Sequence, residues 1–496
     1  MLPRRLLFAG WCALSLIVLV AMPLTSLAEP VGHWREQVLA AADEAGLPRS
    51  ALSVAAVPLD GPGRAQYFNA DEPFSPASTM KLVTTYAALE LLGPTFRWHT
   101  RLYTDGIRDG DTLRGNIYFV SGGDPKLTEE RLWSMLRDLR AQGIAHIHGD
   151  LVLDDSYFYL PATWPLFDDD GDNPYAPYLV EPDAMLSNFN LHNVRARAGP
   201  DGIRLWATPA LPSLTLDNQL VPADTGRCPA ARSLGWSPQR RADGQIILTV
   251  SGTLPSGCEV SRYLSLLSPD IYTAELLRSL WQGIGGTWRG EQRRGVLAAG
   301  TTLLATSSSP DVVSVVRDIN KYSNNPMARQ LYLTIGAQHR VAGDVNDFAA
   351  TERVVREWLL RKGVDVDGLV LDNGSGLSRI ERISARQLAG MLEQVWRSPF
   401  AAEMIASMPL VAMDGTMRSR LRNTDMAGEG HIKTGSLRDV RAIAGFARDA
   451  RQTTWAVVML INYSDGRVPG ALLDKMLAAL RVSGAAVTVS AREGER

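Results

Sequence analysis

Three short strings along this chain hold the residue types that nucleophilic acyl transfer needs: Ser78-Thr79-Met80-Lys81, Ser323-Asn324-Asn325 and Lys433-Thr434-Gly435. A serine hydroxyl attacks a carbonyl only when a neighbour takes its proton, and a lysine does this only in its neutral form. At an ordinary pKa near 10.4, about one lysine in 2,500 is neutral at pH 7, so Lys81 needs burial or a second cation nearby. Lys433 is the candidate cation. Taken singly each string is weak: Ser78 can be a helix cap beside a solvated Lys81, Ser323 to Asn325 a capping turn, and Lys433 a strand-edge residue. Their conjunction in this order points to an acyl-enzyme.

The elements that must position these residues are legible in part. Pro76 precedes Ser78, and residues 79–92 are helix formers with apolar spacing, closed by Gly93-Pro94. Ser78 therefore opens a helix, with Lys81 one turn on along the same face. Backbone N–H groups at a helix start are suited to an acyl oxyanion. Residues 51–57 read as an apolar strand, with 65–69 as its hairpin partner beyond the Gly61-Pro62-Gly63 turn. Helical patterns return over 271–284, over 312–319 and from Pro326, which makes Ser323 to Asn325 an interhelical turn. Lys433 opens a strand, 442–447 and 455–462 are apolar runs, and a helix over 472–480 would cover their sheet. The tail after Ser483 has the composition of a disordered segment.

The stretch between Lys81 and Ser323 is far longer than two loops of one site require, so something is inserted there. Within it, 116–121 and 150–154 read as strands flanking a helix over 128–141, and 200–262 is rich in short strands and Pro/Gly turns.

Length and composition set the outer bounds. At 496 residues the chain has room for two to four modules. With 51 Lys+Arg against 53 Asp+Glu, its charge balance points to no nucleic-acid partner. Arg4 and Arg5, an apolar run over 6–22, Pro23 and Ser26-Leu27-Ala28 form a secretory signal pattern with cleavage after Ala28, which predicts an exported, periplasmic protein. An uncleaved segment would leave a membrane contact instead, although the run is slightly short for a span of about 20 residues. A lipid anchor on Cys12 is disfavoured by the bulky Trp11 before it. Beyond the signal remain Cys228 and Cys258, expected to pair as one disulfide in an oxidising compartment, with two buried thiols as the alternative.

The sequence resembles the class C low-molecular-mass penicillin-binding proteins, the D-alanyl-D-alanine carboxypeptidase/endopeptidase family, peptidase family S13. Besides the three strings, the resemblance rests on Gly123-Asp124-Pro125, residues 149–158, residues 372–379 (DNGSGLSR), Asp414-Gly415-Thr416 and Gly435-Ser436-Leu437. It implies an α+β fold: a penicillin-binding-protein/β-lactamase-like transpeptidase domain, an antiparallel sheet with helices, interrupted by a large, mainly β insert. The boundaries expected are 29–98 plus 270–496 for the catalytic domain and 99–269 for the insert, with two nested sub-domains.

Residue by residue, the resemblance implies Ser78 as nucleophile, Lys81 as its base, and Ser323 with Lys433 beside it passing a proton to the leaving amine. Asn325 would hold the substrate amide. Thr434 and Ser436, flanking Gly435, would bind the terminal carboxylate, and the N–H groups of Ser78 and Ser436 would form the oxyanion hole. Asn324 stands where the motif commonly has Asp, at a position not needed for proton transfer. Asp154, Leu377 and Arg379 match a side-chain recognition pocket suited to a zwitterionic diaminopimelate terminus; the alternative is a strand-end residue and a surface loop residue.

The substrates implied are peptidoglycan peptides, cleaved at D-Ala-D-Ala or D-Ala-meso-diaminopimelate bonds without metal or cofactor, and β-lactams would act as covalent inhibitors. A β-lactamase or esterase on the same residues, and a catalytically idle scaffold, are the rivals. His146 and His148 alternate on a strand but are too few for a zinc site. Asp168 to Asp172 lacks the downstream glutamate of a calcium loop, and His431 reads as a strand residue.

Overall fold

The computed structural model describes residues 33–161, 173–466, 468 and 470–493. The secretory signal pattern and the acidic run Asp168 to Asp172 lie outside the described residues. Five antiparallel strands form the main sheet, in the order Gln66–Phe68, Leu52–Pro58, Thr454–Asn462, Val440–Arg448, Gly430–Leu437. Strand side chains alternate between faces, and here both faces are apolar. Ala456, Val458 and Leu460 enter one core with the Lys81–Leu91, Val312–Tyr322, Asn325–Gln338 and Ala385–Arg397 helices. Val457, Met459 and Ile461 enter another with Trp34, Val38, Leu473 and Met476 of the first and last helices. The sheet is therefore the middle of three layers, which explains why 455–462 reads as an unbroken apolar run. The last helix spans Gly470–Glu493, so the segment after Ser483 continues a helix where a disordered tail was expected.

The insert leaves along His99–Thr104. That strand lies between Ile117–Ser121 and Thr302–Ser308 in a sheet continued by Leu151–Asp154 and Gln292–Arg294. The Glu129–Ala141 and Pro269–Gly283 helices share its core through Leu132, Leu136, Leu276 and Trp281. Two three-stranded sheets follow in the middle of the insert, one centred on His192–Gly199 and one on Ile246–Pro255. A Cys228–Cys258 disulfide, with Cα atoms 5.4 Å apart, ties the segment between them.

The catalytic unit was expected to resume at residue 270. The structure corrects this: the Pro269–Gly283 helix buries Leu277 and Trp281 in the insert's core, and Thr302–Ser308 pairs with the insert's own first strand. The main core takes up the chain again at Val312. An amphipathic period reveals that a helix has an apolar face but not which core receives it.

Candidate active site

Ser78 lies on a 3-10 turn, Ala77–Met80, that runs directly into the Lys81–Leu91 helix. The Thr79 hydroxyl donates to the Pro76 carbonyl at 2.7 Å and fixes this entry. Lys81 is fully buried at the first position of the helix. Its Nζ donates to Ser78 Oγ at 2.9 Å, to Asn325 Oδ1 at 2.6 Å and to the Ser375 carbonyl. Burial, above all, holds this lysine well below its ordinary value; Lys433 and Arg329 push the same way, and Glu381 opposes them.

Ser323 ends the Val312–Tyr322 helix in the left-handed region, at φ 57° and ψ 40°. Asn324 then caps the Asn325–Gln338 helix, its Oδ1 accepting from the Met327 N–H at 3.0 Å, with Pro326 in the first turn. A single residue thus reverses the chain between two buried helices. Its hydroxyl accepts from Lys433 Nζ at 2.9 Å, and the same amino group donates to the Thr434 carbonyl at 2.7 Å. Lys433 is fully buried, and burial lowers it to about 7.

The strand Gly430–Leu437 carries Lys433 and passes close to Ser78. A Cβ on Gly435 would lie 3.0 Å from the Ser78 nitrogen and 2.8 Å from the Pro76 carbonyl oxygen, so only glycine fits here without a shift. Thr434 Oγ1 donates to Thr416 Oγ1 at 2.8 Å, and Ser436 is exposed beyond it. Lys321, two residues before Ser323, binds the Met408 carbonyl and Asp414 Oδ2 at 2.6 Å each, which anchors the Asp414-Gly415-Thr416 turn beneath Thr434.

The loop 372–379 closes the site from a third direction. Gly376 has φ 78°, and any side chain there would collide with the Ala77 carbonyl. Leu377 is buried in this loop, its carbonyl accepting from Asn373 Nδ2 at 2.9 Å, and Arg379 is exposed. Asp154 is buried at the end of Leu151–Asp154. Its Oδ1 accepts from the Ser156 N–H and hydroxyl at 3.0 and 2.6 Å, and its Oδ2 from the Leu297 N–H at 2.8 Å.

The structure therefore gathers Ser78, Lys81, Asn325, Ser323, Lys433, Thr434 and Gly435 through direct contacts. The side-chain bonds of Asp154 run instead to Ser156 and Leu297. His146 Nδ1 meets Thr287 Oγ1 at 2.8 Å on a strand of the insert, and His431 lies within the strand Gly430–Leu437. Sequence reading missed three participants. The Ser375 carbonyl is a backbone group, which residue type cannot flag. Arg329 lies in an apolar helical stretch and Glu381 in a polar loop, and both become buried only when the fold closes.

Known proteins resemble this chain over most of its length. The profile of the D-Ala-D-Ala carboxypeptidase 3 (S13) family matches residues 35–481. A D-alanyl-D-alanine carboxypeptidase of Actinomadura sp. (strain R39) is 29% identical over 434 residues, covering 82% of this chain and 77% of its own. The D-alanyl-D-alanine carboxypeptidase DacB of Haemophilus influenzae is 26% identical over 406 residues, covering 79% and 81%. Penicillin binding protein 4 (dacB) from Haemophilus influenzae, solved also with a β-lactam bound, superposes with a TM-score of 0.73 at 24% identity over 89% of this chain and 98% of that one. With a family match over most of its length, and the same fold in a penicillin-binding protein, the chain belongs to the S13 family of serine-type D-Ala-D-Ala carboxypeptidases.

Proposed function

We propose that this carboxypeptidase works through an acyl-enzyme on Ser78, outside the cytoplasm, on peptidoglycan peptides that end in D-Ala-D-Ala or are cross-linked through D-Ala-meso-diaminopimelate. The observation that carries the reading is the 2.9 Å bond between Ser78 Oγ and a fully buried Lys81 amine. Neutral Lys81 takes the hydroxyl proton as Oγ bonds to the penultimate D-Ala carbonyl carbon. Negative charge on the carbonyl oxygen falls to the N–H groups of Ser78 and Ser436. As the peptide C–N bond breaks, the leaving amine gains a proton through Ser323 from Lys433. Water then attacks the ester, its OH going to the acyl carbon and its proton to Ser78 Oγ as the C–Oγ bond breaks, and Lys81 releases to solvent the proton it took while Lys433 regains one from solvent.

Asn325 is read as the ligand of the substrate amide, and Thr434, Gly435 and Ser436 as the cradle of the terminal carboxylate. Asp154, Leu377 and Arg379 are read as the group that meets the substrate side chain. β-Lactams would acylate Ser78 as mimics of the D-Ala-D-Ala end. The test is incubation of the purified protein with muropeptides, with mass analysis of the products, alongside labelling by a fluorescent penicillin. Loss of a terminal D-Ala and separation of cross-linked dimers are expected. Absence of labelling would support an idle scaffold, and rapid penicillin turnover a β-lactamase.

A further inference from the structure

Glu381 is 1% exposed and has no part in the scheme above. Its Oε1 accepts from the N–H groups of Asn373 at 3.2 Å and Gly374 at 3.0 Å. These two residues lead into Ser375, whose carbonyl accepts from Lys81. Thr84, on the helix that Lys81 opens, donates its hydroxyl to the Gly374 carbonyl at 2.7 Å. The loop that meets the Lys81 amine is thus pinned by that helix on one side and by Glu381 on the other. Among the described residues, Glu381 Oε2 and the Tyr332 hydroxyl are buried without a hydrogen-bond partner. A carboxylate buried with one oxygen unbonded is a costly way to hold two N–H groups, since a neutral amide holds them as well.

The titratable and charged groups coupled electrostatically to Glu381 are Lys81 on one helix, Arg329 and Tyr332 on another, and Asp372 on its own loop; Lys433, on the strand, acts on Lys81. Burial first, and Asp372 second, raise the Glu381 carboxyl to about 7.

We propose that Glu381 is a positioning residue for Lys81: it holds the loop that presents the Ser375 carbonyl and is the buried counter-charge whose ionisation is coupled to that of the lysine. The inference rests on Lys81 being the base for Ser78. An ionised Glu381 favours the charged lysine and works against its use as a base; a protonated Glu381 favours the neutral amine. As the pH falls, protonation of the carboxyl removes the charge that would hold a proton on Lys81. The pair therefore titrates as a unit, and the amine stays neutral further into acid than beside a fixed negative charge.

The test compares wild type with Glu381→Gln, which keeps an acceptor for Asn373 and Gly374 and removes the charge. Acylation of Ser78 by a penicillin is followed across pH, with thermal unfolding as the check on folding. The acid limb of the Glu381→Gln profile is expected to move to lower pH by about one unit, with little change in the plateau rate. Superimposable profiles would overturn the proposal. A second measurement stands without any variant at this position: the chain has six lysines, so 13C-labelled lysine spectra resolve Lys81, identified by its loss in Lys81→Ala. Two inflections in its wild-type titration are expected, and a single one overturns the coupling. Ser78→Ala keeps the two readings apart: if that variant still labels, the nucleophile assignment fails, whatever the Glu381 profiles show.

Discussion

The Lys433 amino group donates to the Ser323 hydroxyl at 2.9 Å, joining a sheet strand to the one-residue reversal between two helices. Burial holds Lys433 at about 7, far below an exposed lysine. The sign follows. Below pH 7 both folded and unfolded states carry the proton, and the fold bears the full cost of a buried cation. Between about 7 and the ordinary lysine value the unfolded state binds more protons, so stability rises with pH.

Lys433→Met removes that cost. Its Tm should equal or exceed that of wild type at pH 6, with the gap closing as the pH rises through the alkaline range, while penicillin acylation slows sharply. Differential scanning fluorimetry over pH checks the first part. A variant that is less stable than wild type at pH 6, with no narrowing toward alkali, would mean that packing rather than charge decides this site.

Ser78→Ala should show no covalent penicillin label at all, because among the described residues the Lys81 amine meets no other hydroxyl. Lys81→Ala should label about 10²–10⁴-fold more slowly than wild type while remaining folded, the usual size of a lost general base. Stopped-flow acylation with intact-mass detection measures both. Near-normal rates for Lys81→Ala at neutral pH would move the base elsewhere.

Two effects are expected from Asp154→Ala. Its buried carboxylate accepts from the Leu297 and Ser156 N–H groups, which water can reach, so losing these bonds costs about 0.5–1.5 kcal/mol, seen as a lower urea midpoint. On the proposed reading of Asp154 as a side-chain recognition residue, the same change should lower kcat/KM for diaminopimelate-containing peptides more than it lowers acylation by a penicillin lacking that group. Equal losses on both substrates would leave Asp154 with the fold-supporting role alone.

Replacing Cys228 and Cys258 with serine should lower the stability of the insert by roughly 3–4 kcal/mol, from the entropy of the loop that the bond closes. Acylation of Ser78 should be unchanged at 25 °C, since Cys258 packs in the insert's own core and Cys228 lies on the insert's surface. Equal loss of activity and stability would show that the insert and the site unfold together.

How far the sequence could be read depended on the range of the interactions involved. Ser78 and Lys81 were legible because three residues of helix fix their spacing, and Asn324 because capping is local. The direction of the Lys81 shift was also legible, since burial and a second lysine nearby both lower a lysine. The return point of the catalytic unit was not. Trp281 and Leu277 have the same periodicity whether they face the insert or the main core, and only the pairing of Thr302–Ser308 with His99–Thr104 decides between them. Glu381 was hidden for a similar reason. In the sequence it stands between Ile380 and Arg382 in a polar stretch, and the groups it is coupled to in the fold, Tyr332 and Lys81, lie more than forty positions away.

The insert's two ends meet. The Ser309 N–H donates to the Trp98 carbonyl and the Trp98 N–H to Ser309 Oγ, both at 2.9 Å. Every strand pairing of the insert is therefore complete once residue 308 has emerged, whereas Leu52–Pro58 has its central partner only in Thr454–Asn462, near the other end of the chain. For a polypeptide that appears amino end first, this separates two clocks. The interior module can ripen while the outer one still waits with its nucleophile unassembled, and Lys433 is among the last pieces to arrive. A chain interrupted during synthesis would carry Ser78 and Lys81 but no strand to close over them, so hydrolytic competence is withheld until the molecule is nearly finished.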